Sequence, residues 1–368
     1  MNAPDPPSLR PIHFVKGRGA GSNDASRFER ARAPAQAPSA EDAAADEETP
    51  WERRTEVTLK QARSIISRNE SPDLPFDHTI NPYQGCEHGC VYCFARPTHA
   101  YLNLSPGLDF ETKLFAKVNA AEVLRKELGR KDFDPGIVAL GAATDAYQPI
   151  DRRYALARQV LEVLAEFDVA VGITTKSALV TRDIDILAPM ARKGLVRVHM
   201  SIPTLDHELS RRLDPRANSP TRRLEAIEEL TSAGVPVAVY IAPVIPSLNE
   251  HELEAILEAC VARGATQGLY TLLRLPREVR DLFAEWLRRW YPERAAQVWR
   301  LIHRMHEGKD YDPRFGNRMV GTGSVAEALG RRFDEAAARL GVTFPGRTLN
   351  TSLFKPRGAG PEPQGSLF

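Results

Sequence analysis

Three of the chain's four cysteines lie in one segment, Gly85-Cys86-Glu87-His88-Gly89-Cys90-Val91-Tyr92-Cys93, and this spacing constrains the protein more than any other feature. A disulfide framework spreads paired cysteines through a small secreted chain, whereas this chain has 368 residues and four cysteines. Clustered thiols in a long, cysteine-poor sequence point to metal. Three thiolates on one loop can hold three corners of an iron–sulfur cubane and leave the fourth iron without a protein ligand. Gly85 and Gly89 suit the tight turns that aim several sulfurs at one point. The fourth cysteine, Cys260, shares helical spacing with Leu253, Ile256 and Leu257 and reads as a small core residue. Zinc is an alternative, with His88 or His99 completing a Cys3His set. A purely electron-transferring cluster would need Cys260 as its fourth ligand.

Hydrophobic residues make up 42% of the chain, enough for a buried core. No apolar run approaches the roughly 18 residues of a membrane span, and no short apolar leader opens the sequence. A soluble, cytoplasmic protein without membrane contact is expected. The net charge of +1 gives no whole-molecule attraction to nucleic acid. From Arg274 onward, 17 basic residues face 11 acidic ones, an excess compatible with a polyanionic substrate such as nucleic acid.

Residues 1–50 read as a disordered N-terminal arm, because Ala33-Pro34-Ala35-Gln36-Ala37-Pro38 and the acidic run from Glu41 to Glu48 bury little apolar surface. Such an arm is either a solvated tail or a segment that orders on a partner or folds over the core. Residues 51–290 form the expected core and 291–368 a helical C-terminal extension ending in a Gly/Pro-rich tail. Strands are predicted at Gly136 to Leu140, Val169 to Thr174, Leu195 to Ile202, Val235 to Ala242 and Gly268 to Leu273. Helices are predicted at Arg152 to Phe167, Asp183 to Arg192, Thr221 to Ala233 and Asn249 to Arg263, with another from about Pro276. Asn249 and Glu252 have the spacing of a capping box. Alternation of this kind means parallel strands and right-handed crossovers. With one strand before the cysteine loop, the units number six. The expected fold class is therefore α/β, a (β/α)6 partial TIM barrel, with a doubly wound sheet as the alternative. In both, ligands collect at the carboxyl ends of the strands.

The cysteine loop, with Tyr92 before the last cysteine, resembles the signature of the radical S-adenosyl-L-methionine (SAM) superfamily. The segments at Thr144-Asp145, Lys176 and Ser201 are similar to the branch containing spore photoproduct lyase and DNA-repair-photolyase-like proteins, over about Asn81 to Arg274. The resemblance implies a [4Fe-4S] cluster on Cys86, Cys90 and Cys93, with SAM as cosubstrate on the open iron. It also implies reductive cleavage of SAM and an external low-potential electron donor of flavodoxin or ferredoxin type. It places Tyr92, Thr144, Asp145, Lys176 and Ser201 at SAM: Tyr92 near the adenine, Thr144 at the methionyl amino end, Lys176 at the carboxylate, and Ser201 at the carboxylate or the ribose. Thr144 and Ser201 also suit local caps, Asp145 and Asp151 suit helix capping, and Lys176 also reads as an exposed lysine. Arg274 would bind a carboxylate or pair with an acidic neighbour. The chain departs from the lyase at Ala143, where that enzyme carries a hydrogen-donor cysteine. A non-catalytic iron–sulfur or zinc protein binding nucleic acid is the competing class. The block Lys309 to Gly323 falls outside the match, and within it Asp310 to Arg318 reads as a surface loop or a substrate-side lid.

Overall fold

In the computed structural model, which describes residues 15–30, 54–344 and 349–356, the predicted apolar runs become adjacent parallel strands. Numbered along the chain, the strands are β1 (Glu56–Lys60), β2 (Ile66–Arg68), β3 (His78–Ile80), β4 (Tyr83–Gln84), β5 (Lys113–Lys117), β6 (Ile137–Leu140), β7 (Ala170–Thr175), β8 (Val196–Ser201), β9 (Val237–Val244) and β10 (Gln267–Leu272). The larger sheet has the order β10-β9-β8-β7-β6-β3-β2. Its members β3, β6, β7, β8, β9 and β10 are all parallel, and β2 adds antiparallel at one edge. β2 and β10 do not meet, so this is the six-unit open barrel and not a closed one.

Helices α1 (Ala120–Leu128), α2 (Leu156–Glu166), α3 (Ile184–Arg192), α4 (Pro220–Ser232) and α5 (Leu253–Val261) form the crossovers. Strand alternation shows how they pack. Val196, Val198 and Met200 of β8 enter the apolar layer under the helices, which leaves Arg197, His199 and Ser201 on the opposite face. After β10 come α6 (Val279–Trp290), α7 (Pro292–Met305) and α8 (Gly323–Leu340). Helix α8 docks on α5 through Arg332–Glu254 and Arg339–Glu258, and its Phe333 ring lies 5.0 Å from that of Tyr270. The C-terminal extension thus completes the outer layer beyond the last strand. Helices α6 and α7 build a second core that contains Cys90, Val91 and Tyr92. Among the described residues, no helix is long and apolar enough to cross a membrane.

Several local expectations change. The helix predicted over Arg152 to Phe167 is two, Asp151–Tyr154 and α2, separated by Ala155 at φ 49°. The buried Asp151 carboxylate causes the break. It accepts from Tyr83 (2.6 Å) and Arg182 (3.0 Å) and caps α2 at the Ala157 N–H (3.0 Å). Asn249 is not a helix cap. Its side chain accepts from the Ile245 N–H and donates to the carbonyls of Pro203 and Pro243, while Glu252 bonds Thr204 and Leu205. A second sheet, β1-β5-β4, went unpredicted. Of the N-terminal arm, residues 15–30 fold over the core, with Val15 and Ala20 buried; the remainder of residues 1–50 lies outside the described residues.

Cys260 sits on α5 in the apolar layer, where burial pushes its thiol up to about 12. Cys260→Ala is expected to keep full iron content after reconstitution and to lose only about 1 kcal/mol in a urea titration.

Candidate functional site

The cysteine loop leaves the carboxyl end of β3 through β4, at the mouth of the open barrel. Gly85 (φ 76°) and Gly89 (φ 68°) turn the chain in the left-handed region, as the sequence suggested. Buried side chains hold the loop. Gln148 donates to the Gly85 carbonyl (3.2 Å) and accepts from the Glu87 N–H (2.8 Å). Arg96, fully buried, donates to the carbonyls of Cys90 (2.8 Å), Pro106 (3.1 Å) and Gly107 (3.0 Å), and to Glu111 (2.5 Å).

Cys86 and Cys90 are buried and Cys93 half-buried, all three as free thiols. Burial and then the Asp214 charge push the Cys90 thiol well above its ordinary range. Burial and then Cys86 raise Cys93, with Arg96 and Lys176 acting against the shift. Thiolates gathered in so dry a place are costly unless a cationic centre joins them, and the donor set fits an iron–sulfur cluster. Of the two histidines of the zinc alternative, His88 bonds both Asp145 and Cys86, and His99 is committed to a carbonyl. Burial disfavours charge on His88, but Asp145 at 3.3 Å outweighs it and lifts the ring to about 10. His99 bonds the Lys113 carbonyl at 3.0 Å, and burial lowers its pKa to about 4. Among the described residues, no three His, Cys, Asp or Glu side chains gather as ligands of a single ion.

Beyond the cysteines, Tyr92, Lys176 and Ser201 come together. Lys176 Nζ donates to Ser201 Oγ at 2.7 Å and lies 5.6 Å from the centroid of the Tyr92 ring. Two residues that the sequence did not single out hold this group. Asp214 accepts from the Tyr92 hydroxyl and from Arg223 (3.1 Å), and Arg223 also donates to the Ser201 carbonyl (2.9 Å). Asp214 and Arg223 form a buried ion pair with no exposed side-chain surface. Burial opposes ionisation of Asp214, but Lys176 and Arg223 keep its carboxyl below the ordinary range.

Thr144 and Asp145 form the layer that positions these groups. The Thr144 hydroxyl donates to the Tyr83 carbonyl (3.0 Å), and its N–H donates to Asn81 (3.2 Å). Asp145 accepts from the Thr175 hydroxyl (2.8 Å) and the Lys176 N–H (2.8 Å), which fixes the start of the turn carrying Lys176. Ala143 packs with Cys86 and Cys93. No side-chain chemistry marks Asp214, Arg223, Gln148 or Arg96 in the sequence as partners of the loop; only the fold unites them.

At the end of β10, Arg274 stacks 4.8 Å over Phe94, touches Tyr311 (3.4 Å) and Met319 (3.6 Å), and pairs with no carboxylate among the described residues. The block Lys309 to Gly323 crosses the open side of the barrel to the hairpin loop before β3. Arg318 grips Asp73 through Nε (2.7 Å) and Nη2 (2.5 Å), and the Gly316 N–H adds a third bond. Burial raises the Asp73 carboxyl, but these bonds leave it below its ordinary value. A depressed carboxyl stabilises the fold above the usual carboxylate range and loses that contribution as pH falls through its folded pKa. The strap is therefore secure at neutral pH and loosens in acid. Asp73→Asn is expected to mimic acid at neutral pH. Losing about 1.5 kcal/mol makes opening roughly 10-fold more frequent, measured as faster trypsin cleavage after Arg314.

A cysteine triad following the first of six parallel strands, with a tyrosine beside the last cysteine and a lysine and a serine at neighbouring strand ends, defines a radical SAM enzyme. The chain belongs to the radical SAM superfamily, whose family model matches residues 80–260. An uncharacterised protein of Mycobacterium tuberculosis (strain ATCC 25618 / H37Rv) is 40% identical over 253 residues, covering 67% of this chain and 74% of the relative. An uncharacterised protein of Methanocaldococcus jannaschii is 25% identical over 199 residues, covering 54% and 71%. In fold, the chain is similar to spore photoproduct lyase complexed with dinucleoside spore photoproduct: TM-score 0.55 and 15% identity, over 78% of this chain and 81% of that one.

Proposed function

We propose that Cys86, Cys90 and Cys93 hold a [4Fe-4S] cluster and that the adjoining pocket binds SAM, which is reductively cleaved to begin radical chemistry on a substrate of unknown identity. The observation that carries this reading is the convergence of Tyr92, Lys176 and Ser201 beside the three cysteines. A cluster held by Cys86, Cys90 and Cys93 would supply the single electron needed to open the sulfonium of SAM to methionine and a 5'-deoxyadenosyl radical able to take hydrogen from a substrate.

The chain's own residues bind, orient and exclude water. Lys176 Nζ neutralises the methionyl carboxylate, held in place by Ser201 Oγ, whose own hydrogen goes to the Ala242 carbonyl (3.3 Å). The Thr144 hydroxyl hydrogen is spent on Tyr83, so its oxygen lone pairs remain to accept from the methionyl ammonium. Tyr92, pinned by Asp214, offers its ring face to the adenine. Asp145 contributes through Lys176 by holding that residue's N–H. Cys86 and Cys90 are buried, so the radical chemistry is screened from solvent.

Residues 51–290 are read as the catalytic core and 291–368 as an extension that walls the barrel mouth. A reducing cytoplasm suits three free thiols. Nucleic acid is one candidate substrate. Ala143, however, leaves no thiol to quench a substrate radical at the position where the lyase branch has one, so lesion repair of that type is not carried over. The test is anaerobic reconstitution with iron and sulfide, then addition of dithionite and SAM. Release of 5'-deoxyadenosine and methionine is the expected result. A cluster that forms but never cleaves SAM, or a metal fully ligated by side chains, overturns the proposal in favour of a binding module.

A further inference from the structure

We propose that the face covering the cysteine loop, built from residues 15–20, the start of β1 and the turn after Leu213, is the docking surface for an acidic one-electron carrier protein. This rests on the radical SAM reading above.

Residues 15–20 lie against the cysteine loop, with Lys16 exposed and Val15, Gly19 and Ala20 buried. Val15 and Ala20 pack with Cys90 and Val91. Beside them Gly19 lies so close to the loop that a Cβ there would stand 1.8 Å from the Gly89 carbonyl oxygen and 3.3 Å from the Val91 nitrogen. Two backbones touch at that point with no side chain between them. Electron transfer falls steeply with distance, and a carrier resting on this segment would meet the loop at Gly89 and Val91 with only the Gly19 backbone between. The inner side of the loop is taken by Tyr92, Lys176 and the proposed SAM pocket, which leaves the outer face for the reductant.

The outer face is also cationic. Lys16 and Arg54 are exposed, and Arg216 is 38% exposed. They share one neighbourhood: Thr55, next to Arg54, bonds both Arg18 (3.0 Å) and Glu87 (2.5 Å), and Arg216 pairs with the same Glu87 (3.1 Å). The carboxylates beneath are turned inward and engaged, Glu87 as above and Glu111 by Arg96 and the N–H groups of Gly19 and Ala20 (both 2.9 Å). Glu56 is the exposed carboxylate at the rim. The chain as a whole carries only +1, so this positive charge is local, which is what steers an oppositely charged partner to one place. The step balances simply: one electron leaves the carrier, which is oxidised by one unit, and reduces the cluster from its 2+ to its 1+ state, with no atom transferred.

Reversing the charge of two residues outside the SAM pocket tests this. Among the described residues, neither Lys16 nor Arg54 makes an ion pair, so the Lys16→Glu/Arg54→Glu chain should fold and load iron normally. Calorimetric titration of the reconstituted holoenzyme with a flavodoxin, and separately with a small acidic ferredoxin, reads the docking directly. At low salt, the double variant is expected to bind at least one carrier roughly 10-fold more weakly than wild type, and added salt should narrow the gap. Stopped-flow reduction by that carrier should slow in step, while reduction by dithionite, which needs no docking face, stays unchanged. Equal binding and equal reduction rates in the two proteins, or no salt-dependent binding of either carrier by wild type, overturns the assignment. Failure of dithionite-reduced wild type to cleave SAM would instead count against the radical SAM reading, so the two failures are distinct.

Discussion

Arg96→Ala is expected to give a chain that resists loading with iron and melts early. Arg96 and Glu111 are both fully buried, and the guanidinium satisfies four acceptors at once, three of them main-chain carbonyls in or beside the cysteine loop. Removing one partner of a buried pair leaves the other charge without compensation, which costs about 3–5 kcal/mol. The loss falls on the segment that must present Cys90 and Cys93 together, so stability and loading should fail jointly. Urea denaturation of the apoprotein and iron and sulfide analysis after reconstitution check the two halves. Arg96→Lys is not a rescue, because one ammonium on a flexible stem cannot reproduce a planar fork directed at four oxygens. Glu111→Gln should also destabilise: it keeps one acceptor oxygen, sets an NH2 donor against the N–H of Gly19 or of Ala20 and Arg96, and removes the guanidinium's counter-charge. Wild-type stability and iron content in Arg96→Ala would show that the loop holds its shape without this clamp.

The six-strand frame was legible because each parallel strand is buried on one or both faces and so appears as an apolar run, such as Ile137–Leu140 or Ala170–Thr175. The cysteine triad was legible because its spacing is local. The small sheet was not, since β1 is largely exposed and β4 has two residues, too little pattern for any period to register. The helix break at Ala155 escaped notice because its cause, Asp151 held by Tyr83 and Arg182, lies in other parts of the chain. Residues 15–30 read as tail for a related reason. Their attachment runs through backbone N–H groups to Glu111 and a glycine-on-backbone contact, which composition does not record. Among the site residues, Tyr92, Lys176 and Ser201 stood out at strand ends or beside a cysteine. Asp214 and Arg223 could not, because their meaning depends on a fully buried pair that forms only after the barrel folds.

Lys176→Met separates binding from architecture at the same site. The lysine is only partly buried, and its side chain bonds Ser201 Oγ, while the Asp145 carboxylate holds its backbone N–H, which a methionine retains. The turn and the cluster loop should therefore survive the change, with iron content near wild type and a modest drop in urea midpoint, because Asp214 keeps its ion pair with Arg223 but loses the Lys176 charge. What is lost is a cation facing a carboxylate in a site of low polarity. A charge-assisted hydrogen bond is worth about 1.5–3 kcal/mol, which corresponds to a rise in KM for SAM of roughly 10- to 150-fold. If Lys176 serves only to bind, kcat for 5'-deoxyadenosine release at saturating SAM should change little, the pattern of lost uniform binding. A fall in kcat with unchanged KM would mean that the ammonium acts on the cleavage step itself. An unchanged KM and kcat would remove Lys176 from the SAM pocket and leave Ser201 and Tyr92 to explain it alone. Arg223→Met is the contrasting control: it strips the counter-charge from buried Asp214, so its defect should appear first as lost stability, before any effect on SAM is measurable.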